Sequence, residues 1–257
     1  VNIYVLLKRT FDTEEKIVIE NGCIVEDDVE FIINPYDEYA VEEAINLRDL
    51  HGGEVTIVTA GGEEAGQQLR TALAMGADKA VLIGMEEVTE EVDHYTLSRV
   101  LSAYLEDKQP DLILAGNVAV DDGAGQTAPR VAEELGINQL TTITKIAIQE
   151  NHVKVERDVE GDIEHAETSL PLLVTCQQGL NEPRYPSLPG IMKAKKKPLD
   201  RVELADLNLE EEEVKAKTNS VSRFVPPEKE AGKILEGELY EQVQELVHLL
   251  RNEAKVL

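Results

Sequence analysis

Four short apolar runs, each followed by a segment of helical pattern, constrain this chain more than any other feature. They are "NIYVLL" at 2–7, "EVTIVTA" at 54–60, "KAVLIG" at 79–84 and "DLILAG" at 111–116. Continuous apolar runs of this length suit strands buried on both faces. Between them, Ala40, Val41, Ala44 and Ile45 form one helical face. Leu69, Ala72 and Leu73 form a second, closed by Gly76, and Leu97, Val100, Leu101, Tyr104 and Leu105 a third. "APRVAEELG" supplies a fourth helix. Strands separated by single helices imply a parallel, doubly wound sheet with right-handed crossovers.

Local signals refine this frame. Asn34 suits a helix N-cap, Pro35 the first helical position and Asp37 the acid of a capping box. "KIVIENGCIV" reads as a hairpin turning on Asn-Gly. After Gly136 the pattern changes to a β-rich continuation: Val153, Val155, Arg157 and Val159 alternate as in a solvated strand, and Leu170 to Thr175 is apolar. From Arg201 to Gly237 the chain is acidic and weakly periodic, as in an extended arm. Leu239, Val243, Leu246, Val247 and Leu250 then recover helical spacing. The surface under that helix is either the chain's own domain or a partner subunit.

Composition removes several function classes. A formal charge of −26 and aromatics at only 4% oppose binding to nucleic acid. Cys23 and Cys176 make no framework, no CxxC pair occurs, and His is too sparse for a zinc pattern, so no metal site is expected. No leader-like start and no apolar run near the roughly 20 residues of a membrane span are visible. A cytoplasmic protein without membrane insertion is the expectation. No GxSxG, HExxH or Cys beside a His base is present, and His51, His94, His152, His165 and His248 read as surface or packing residues.

Ligands of open parallel sheets bind beyond the carboxyl ends of the strands. Here those ends carry Leu6-Leu7-Lys8, Thr59-Ala60-Gly61-Gly62 and Ala115-Gly116-Asn117. The most informative segment is "GNVAVDDGAGQTAPRV" at 116–131. Pro129 is tolerated only in a first helical turn, so the helix should start no earlier than about Gln126. Free N–H groups and the helix dipole would then meet at one anion site, without a lysine. The segment is neither a Walker loop nor GxGxxG. Asp121 and Asp122 would repel a phosphate directly before them. One is expected to orient the loop by accepting N–H bonds, the other to face sugar, loop or solvent. A plain strand-to-helix connection is the alternative reading of the same glycines.

One block stands apart. "LNEPRYPSLPGIMKAKKKP" at 180–198 gathers Arg184, Lys193, Lys195, Lys196 and Lys197 beside Leu188, Ile191 and Met192 in an otherwise acidic chain. It resembles the signature of electron-transfer flavoprotein β subunits. "NPYDEYAVEEA", "RTALAMGAD", "AVDDGAGQT" and "KVERDVEG" resemble that family's other blocks, in its order. The resemblance covers roughly residues 1–200 well and the arm more loosely.

That resemblance implies a heterodimer with an α subunit that holds most of a redox FAD, while β holds a structural AMP. Carried over by motif, the AMP contacts would be Leu6, Asn34, Pro35, Tyr36, Asp37, Ala60 and the loop Gly116, Asn117, Val118, Ala119, Val120, Asp121, Asp122, Gly123, Ala124, Gly125, Gln126 and Thr127. Tyr36 matches the aromatic residue that approaches the flavin, and Asp158 an acid that can pair with an α-subunit Arg. The 180–198 block matches a loop that docks dehydrogenases such as acyl-CoA dehydrogenases: Leu188 as apolar anchor, Arg184, Tyr185, Ile191 and Met192 beside it, Lys193 and Lys196 in its basic flank. Electrons would pass through FAD to a quinone-linked oxidoreductase, with no bond chemistry in β. The expected architecture is an α/β fold of Rossmann-like (adenine nucleotide alpha hydrolase-like) type. Its parallel sheet with flanking helices fills residues 1–200, and an extended C-terminal arm, 201–257, packs on the partner subunit. Two alternatives stay open: a bifurcating-type subunit holding a second FAD, which Pro129 resembles, and a stand-alone universal-stress-like ATP-binding module.

Overall fold

In chain order the elements begin with strands β1 (Asn2–Leu6), β2 (Arg9–Phe11), β3 (Ile19–Glu20), β4 (Cys23–Ile24) and β5 (Phe31–Ile33). Then follow α1 (Pro35–His51), β6 (Glu54–Gly61), α2 (Gly66–Met75), β7 (Lys79–Gly84), α3 (His94–Glu106), β8 (Leu112–Gly116) and α4 (Thr127–Leu135). The last group is β9 (Asn138–Gln149), β10 (His152–Val159), β11 (Asp162–Ser169), β12 (Leu172–Cys176), α5 (Leu188–Ala194), β13 (Leu199–Val202), α6 (Glu211–Val214) and α7 (Leu239–Asn252). This computed structural model describes all residues except 28, 87, 89–91 and 228–230, with the side chain of Glu211 also left aside. Two units are distinguished: residues 1–16 with 26–221, and residues 17–25 with 222–257.

The first unit is built on one sheet of order β11-β10-β9-β12-β8-β1-β6-β7-β13. From β12 to β13 every pairing is parallel. The chain winds outward from β1 through β6 to β7, then returns to lay β8 on the other side of β1. The point where this direction reverses lies between β1 and β8, and there the crevice of a doubly wound sheet opens. The strand side chains alternate between two cores. Ile3, Val5, Ile57, Leu112 and Leu114 pack with Ala40, Val41, Ala44 and Ile45 of α1 and Leu69, Ala72 and Leu73 of α2. Tyr4, Leu6, Val58, Ile113 and Ala115 pack with Val100, Leu101 and Leu105 of α3 and Val131 and Ala132 of α4. The result is three layers, helices on both faces of the sheet.

The β-rich continuation is larger than the sequence showed. β9 pairs parallel with β12 through its first half and antiparallel with β10 through its second. The ladder shifts near Thr142, which has φ of 57° and donates its N–H to Thr175 Oγ1 at 3.0 Å. β11 closes the sheet beyond β10. Its sequence, "DIEHAETS", carries almost no apolar alternation, because the strand lies at an edge and most of its residues are exposed.

The start of the expected arm is not loose. β13 adds to β7, and Val202, Leu204, Leu207, Leu209 and Val214 pack on the α3 core. Glu213 holds Arg99 at 2.8 Å, and Thr96 Oγ1 donates to the Val214 carbonyl at 2.8 Å. Asp93, the N-cap of α3, also accepts the N–H groups of Lys217 and Thr218 at 2.8 and 2.9 Å. Residues 201–221 therefore belong to the sheet unit, and the second unit takes up the chain from Ser222. Pattern reading missed this because the apolar residues are spread along extended chain and follow neither the helical nor the strand period.

In the second unit, β3 and β4 pair around Asn21 and Gly22, at φ of 53° and 80°, the left-handed pair that an Asn-Gly hairpin turn requires. Glu238 and Glu241 form a reciprocal capping box at the start of α7, and Lys233 meets Glu245 at 2.7 Å. Leu239, Tyr240, Val243 and Leu246 of α7 are exposed. Among the described residues, no helix is long and apolar enough to cross a membrane.

Candidate functional site

At the carboxyl ends of β1, β6 and β8 lies a cleft that is open to solvent. Its floor is apolar: Leu6, Val58, Ala60, Leu97, Leu101 and Ala115. Ala60 and Ala115 contribute only methyl groups to that floor. The opposite wall is the loop from Gly116 to Ala128. α4 begins at Thr127 with no side-chain cap on Gln126. Among the described residues, the backbone N–H groups of Gly125, Gln126, Thr127 and Ala128 donate to nothing, and Pro129 has none to donate. A row of unpaired N–H groups at a helix start is an anion cradle.

Three side chains hold that wall in place, two of them against expectation. Asn34 does not cap α1. Its amide instead donates to the Val118 carbonyl at 2.9 Å and accepts from the Val120 N–H at 3.2 Å, clamping the loop. Asp37 forms no capping box either. It is buried, and accepts the Lys8 N–H at 2.7 Å and the Gly116 N–H at 2.9 Å. One carboxylate thus ties the ends of β1 and β8 to the first turn of α1. Burial pushes its carboxyl up to about 7, against the pull of those N–H bonds. A Cβ on Gly116 would collide with Asp37 Oδ1 and Tyr36 Cβ, so only glycine allows this approach. Gly125 has φ of 59°, and a Cβ there would crowd the Asn117 carbonyl at 3.2 Å.

The third is Lys8, whose Nζ reaches Asp121 Oδ1 and Asp122 Oδ2, each at 2.7 Å. Burial lowers the affinity of Lys8 for its proton, but the two carboxylates more than offset this and leave its pKa raised. Burial likewise raises Asp122, while Lys8 and the Ala124 N–H at 2.8 Å pull it below the ordinary carboxylate range. Asp122 is therefore the loop-orienting aspartate, and Asp121 faces Lys8. His94 also lines the cleft: its Nδ1 lies 3.1 Å from Thr127 Oγ1, and its Nε2 3.9 Å from Asp122.

Of the residues singled out in the sequence, Leu6, Asn34, Asp37, Ala60, Gly116, Asn117, Val118, Ala119, Asp122, Gly125, Gln126 and Thr127 line one cleft. Pro35, Tyr36, Val120, Asp121, Gly123 and Ala124 lie outside its lining. Leu7, Lys8, Val58, His94, Leu97, Leu101, Ala115 and Ala128 complete it. Lys8 had a signal, since it ends the first strand run. His94 had only its place after a capping Asp, at the start of a helix entered from the third strand.

The 180–198 segment forms a separate surface. Ser187 caps α5, accepting the Gly190 N–H at 3.1 Å. Tyr185 is 94%, Leu188 80% and Met192 73% exposed, with Ile191 beside them. Two of its cations are committed elsewhere. Arg184 grips Glu42 of α1 through Nε and Nη2 at 2.7 and 2.8 Å, holding that carboxyl below its ordinary value although burial opposes it. Lys197 Nζ donates to the Leu73 and Ala77 carbonyls at the end of α2. Arg70 holds the Ala194 and Lys197 carbonyls at 2.7 and 2.8 Å. Lys193, Lys195 and Lys196 are exposed and form no ion pair among the described residues. Asp158 sits exposed at the β10–β11 turn, where its carboxylate accepts the Gly161 N–H at 3.4 Å.

The electron transfer flavoprotein domain model matches residues 22–207. The chain is 63% identical to the electron transfer flavoprotein subunit beta of Bacillus subtilis over 256 residues, covering 100% of both chains. It is 39% identical to that of Syntrophomonas wolfei, over 99% of this chain and 97% of the relative. The human subunit is 35% identical over 234 residues, 90% of this chain and 91% of its own. The chain belongs to the electron transfer flavoprotein β-subunit family. Its broad role is accordingly electron transfer within a flavoprotein. In this β subunit the family match spans α1, the loop beyond β8 and the 180–198 segment.

Proposed function

We propose that this β subunit pairs with an electron transfer flavoprotein α subunit and holds AMP in the cleft as a structural ligand. The pair accepts electrons from dehydrogenases, acyl-CoA dehydrogenases among them, and passes them to a quinone-linked acceptor. FAD, held mainly by α, supplies the redox chemistry, and AMP supplies none.

The observation that carries the AMP reading is the row of unpaired N–H groups from Gly125 to Ala128, set at the switch point of the sheet above an apolar floor. The residues fit the group. Leu6, Val58, Ala60, Leu97, Leu101 and Ala115 offer a purine its apolar bed. The amides of Gly125, Gln126 and Thr127 and the Thr127 hydroxyl would receive the phosphate, with the α4 dipole behind them. Bound there, AMP would bridge the ends of β1 and β8 and the start of α4. Stability gained in this way needs no reaction.

The docking surface follows from exposure and charge. Leu188, Ile191 and Met192 offer a compact apolar anchor, and Lys193, Lys195 and Lys196 surround it with free positive charge. An anchor in a partner's pocket supplies affinity, and the lysines steer the approach of an acidic dehydrogenase face. Arg184 serves this surface by fixing its base to α1. The exposed apolar stripe of α7 is read as an α-subunit contact.

Co-expression with the α subunit and extraction of bound nucleotide tests the proposal. One FAD and one AMP per heterodimer is the expected result. Two FAD would place the chain in a bifurcating-type pair, and ATP on a lone homodimer would make it a stand-alone nucleotide-binding module. Either would overturn the proposal.

A further inference from the structure

The mouth of the cleft carries an arrangement that phosphate binding alone does not explain. Lys8 and Asp122, which line the cleft, meet Asp121, which lies outside its lining; both Lys8 contacts are 2.7 Å, and the side chains of Lys8, Asp121 and Asp122 are 38%, 22% and 33% exposed. One cation between two carboxylates leaves the group with one net negative charge. The Asp122 carboxylate is one imidazole away from the start of α4, since His94 lies between it and Thr127. A phosphate resting on the Gly125–Ala128 amides can be extended in few directions. The floor is apolar, and the loop is clamped from Val118 to Val120 by Asn34. A second phosphate extended toward Asp122, which lines the cleft, would meet that carboxylate with Asp121 beside it on Lys8.

We infer that the Lys8–Asp121–Asp122 clasp determines nucleotide specificity, admitting a nucleoside monophosphate and rejecting a pyrophosphate, whether of a diphosphate or of a dinucleotide. The inference rests on the AMP reading above and adds a selectivity to it. Lys8 neutralises one carboxylate, which keeps the first phosphate tolerable. The uncompensated charge falls on the second. Rejection by a misplaced like charge is a common source of specificity.

The test uses the heterodimer, unfolded and refolded with AMP and ADP at equal concentration. Bound nucleotide is counted after acid release, and the FAD absorbance reports that each variant has assembled. Wild type is expected to retain AMP over ADP by about tenfold or more. Asp121→Asn, which keeps an acceptor for Lys8 but removes a charge, lowers that ratio by about threefold or more, and Lys8→Met raises it by a similar factor. Both substitutions break the same ion pair. A clasp that only holds the loop would shift the ratio in the same direction in both, or in neither, and that result overturns the inference. So does equal retention of AMP and ADP by wild type. Absence of both nucleotides from every protein would instead overturn the AMP reading, and this inference with it.

Discussion

Asp37 offers the sharpest test of how the cleft is held. Its carboxyl is buried, accepts two main-chain N–H bonds and is pushed from 3.8 to about 7 by burial. A raised acid binds its proton more tightly in the folded state, so the folded chain carries the extra proton between those two pH values. Stability from this group is fully present below pH 3.8 and falls as pH rises toward 7. At 1.36 kcal/mol per pH unit, the whole swing is about 4 kcal/mol, and about 2 kcal/mol of it lies between pH 5 and pH 7. Asp37→Asn removes the titration. It keeps one acceptor and turns an NH2 toward the other N–H, at a cost of about 1–3 kcal/mol that does not vary with pH. The direct assay is the carboxyl 13C resonance of Asp37 in aspartate-labelled protein, assigned by its loss in Asp37→Asn. Its midpoint is expected near 7. Urea unfolding should show the advantage of wild type over the variant shrinking by about 3 kcal/mol from pH 5 to pH 8. A midpoint near 4, with a constant difference between the two proteins, would refute the reasoning. It would mean that the two N–H bonds outweigh desolvation and that a fixed negative charge lies beneath the loop.

Gly116→Ala drives a methyl into Asp37 and Tyr36; a loss of about 2 kcal/mol or more is expected in thermal or urea unfolding, with bound nucleotide lost as well. Asp93 is held well below the ordinary carboxylate range: burial opposes this, but the N–H groups of Thr96, Lys217 and Thr218 prevail. Its contribution is present above pH 4 and lost as pH falls further. Asp93→Ala should cost about 1 kcal/mol or more at pH 7, less below pH 4, and should speed amide exchange at residues 217 and 218. Leu188→Ala should slow reduction by the dehydrogenase in stopped flow while bound FAD is unchanged, and unchanged transfer would remove Leu188 from docking. Arg184→Ala, which leaves Glu42 without its partner, should also slow transfer, by loosening the base of the same segment rather than by removing a contact.

Much of this protein is decided locally. The runs ending at Leu7, Ala60, Gly84 and Gly116 read as buried strands because, after a polar first residue in each, nearly every side chain is apolar or small. Gly76 stops α2, and the Asn21-Gly22 pair turns its hairpin, because those backbone conformations exclude most other residues. Pro129 sets the start of α4 within a residue, since a proline cannot sit deeper in a helix. The family blocks are local as well, and carried the resemblance. What needed the tertiary structure were meetings between residues distant in the chain. Asn34 and Asp37 look like helix caps in sequence. They become clamps only because β1 and β8 lie side by side and bring Lys8, Gly116 and Val118 within reach. Strand order is set by which faces bury against which helices, and no local pattern encodes that. For the same reason His94 looked like any surface histidine, Lys8 gave no sign that it would meet Asp121 and Asp122, and the stretch after Arg201 looked unattached. Charge and backbone conformation act between neighbours in sequence, whereas a cleft is made of neighbours in space.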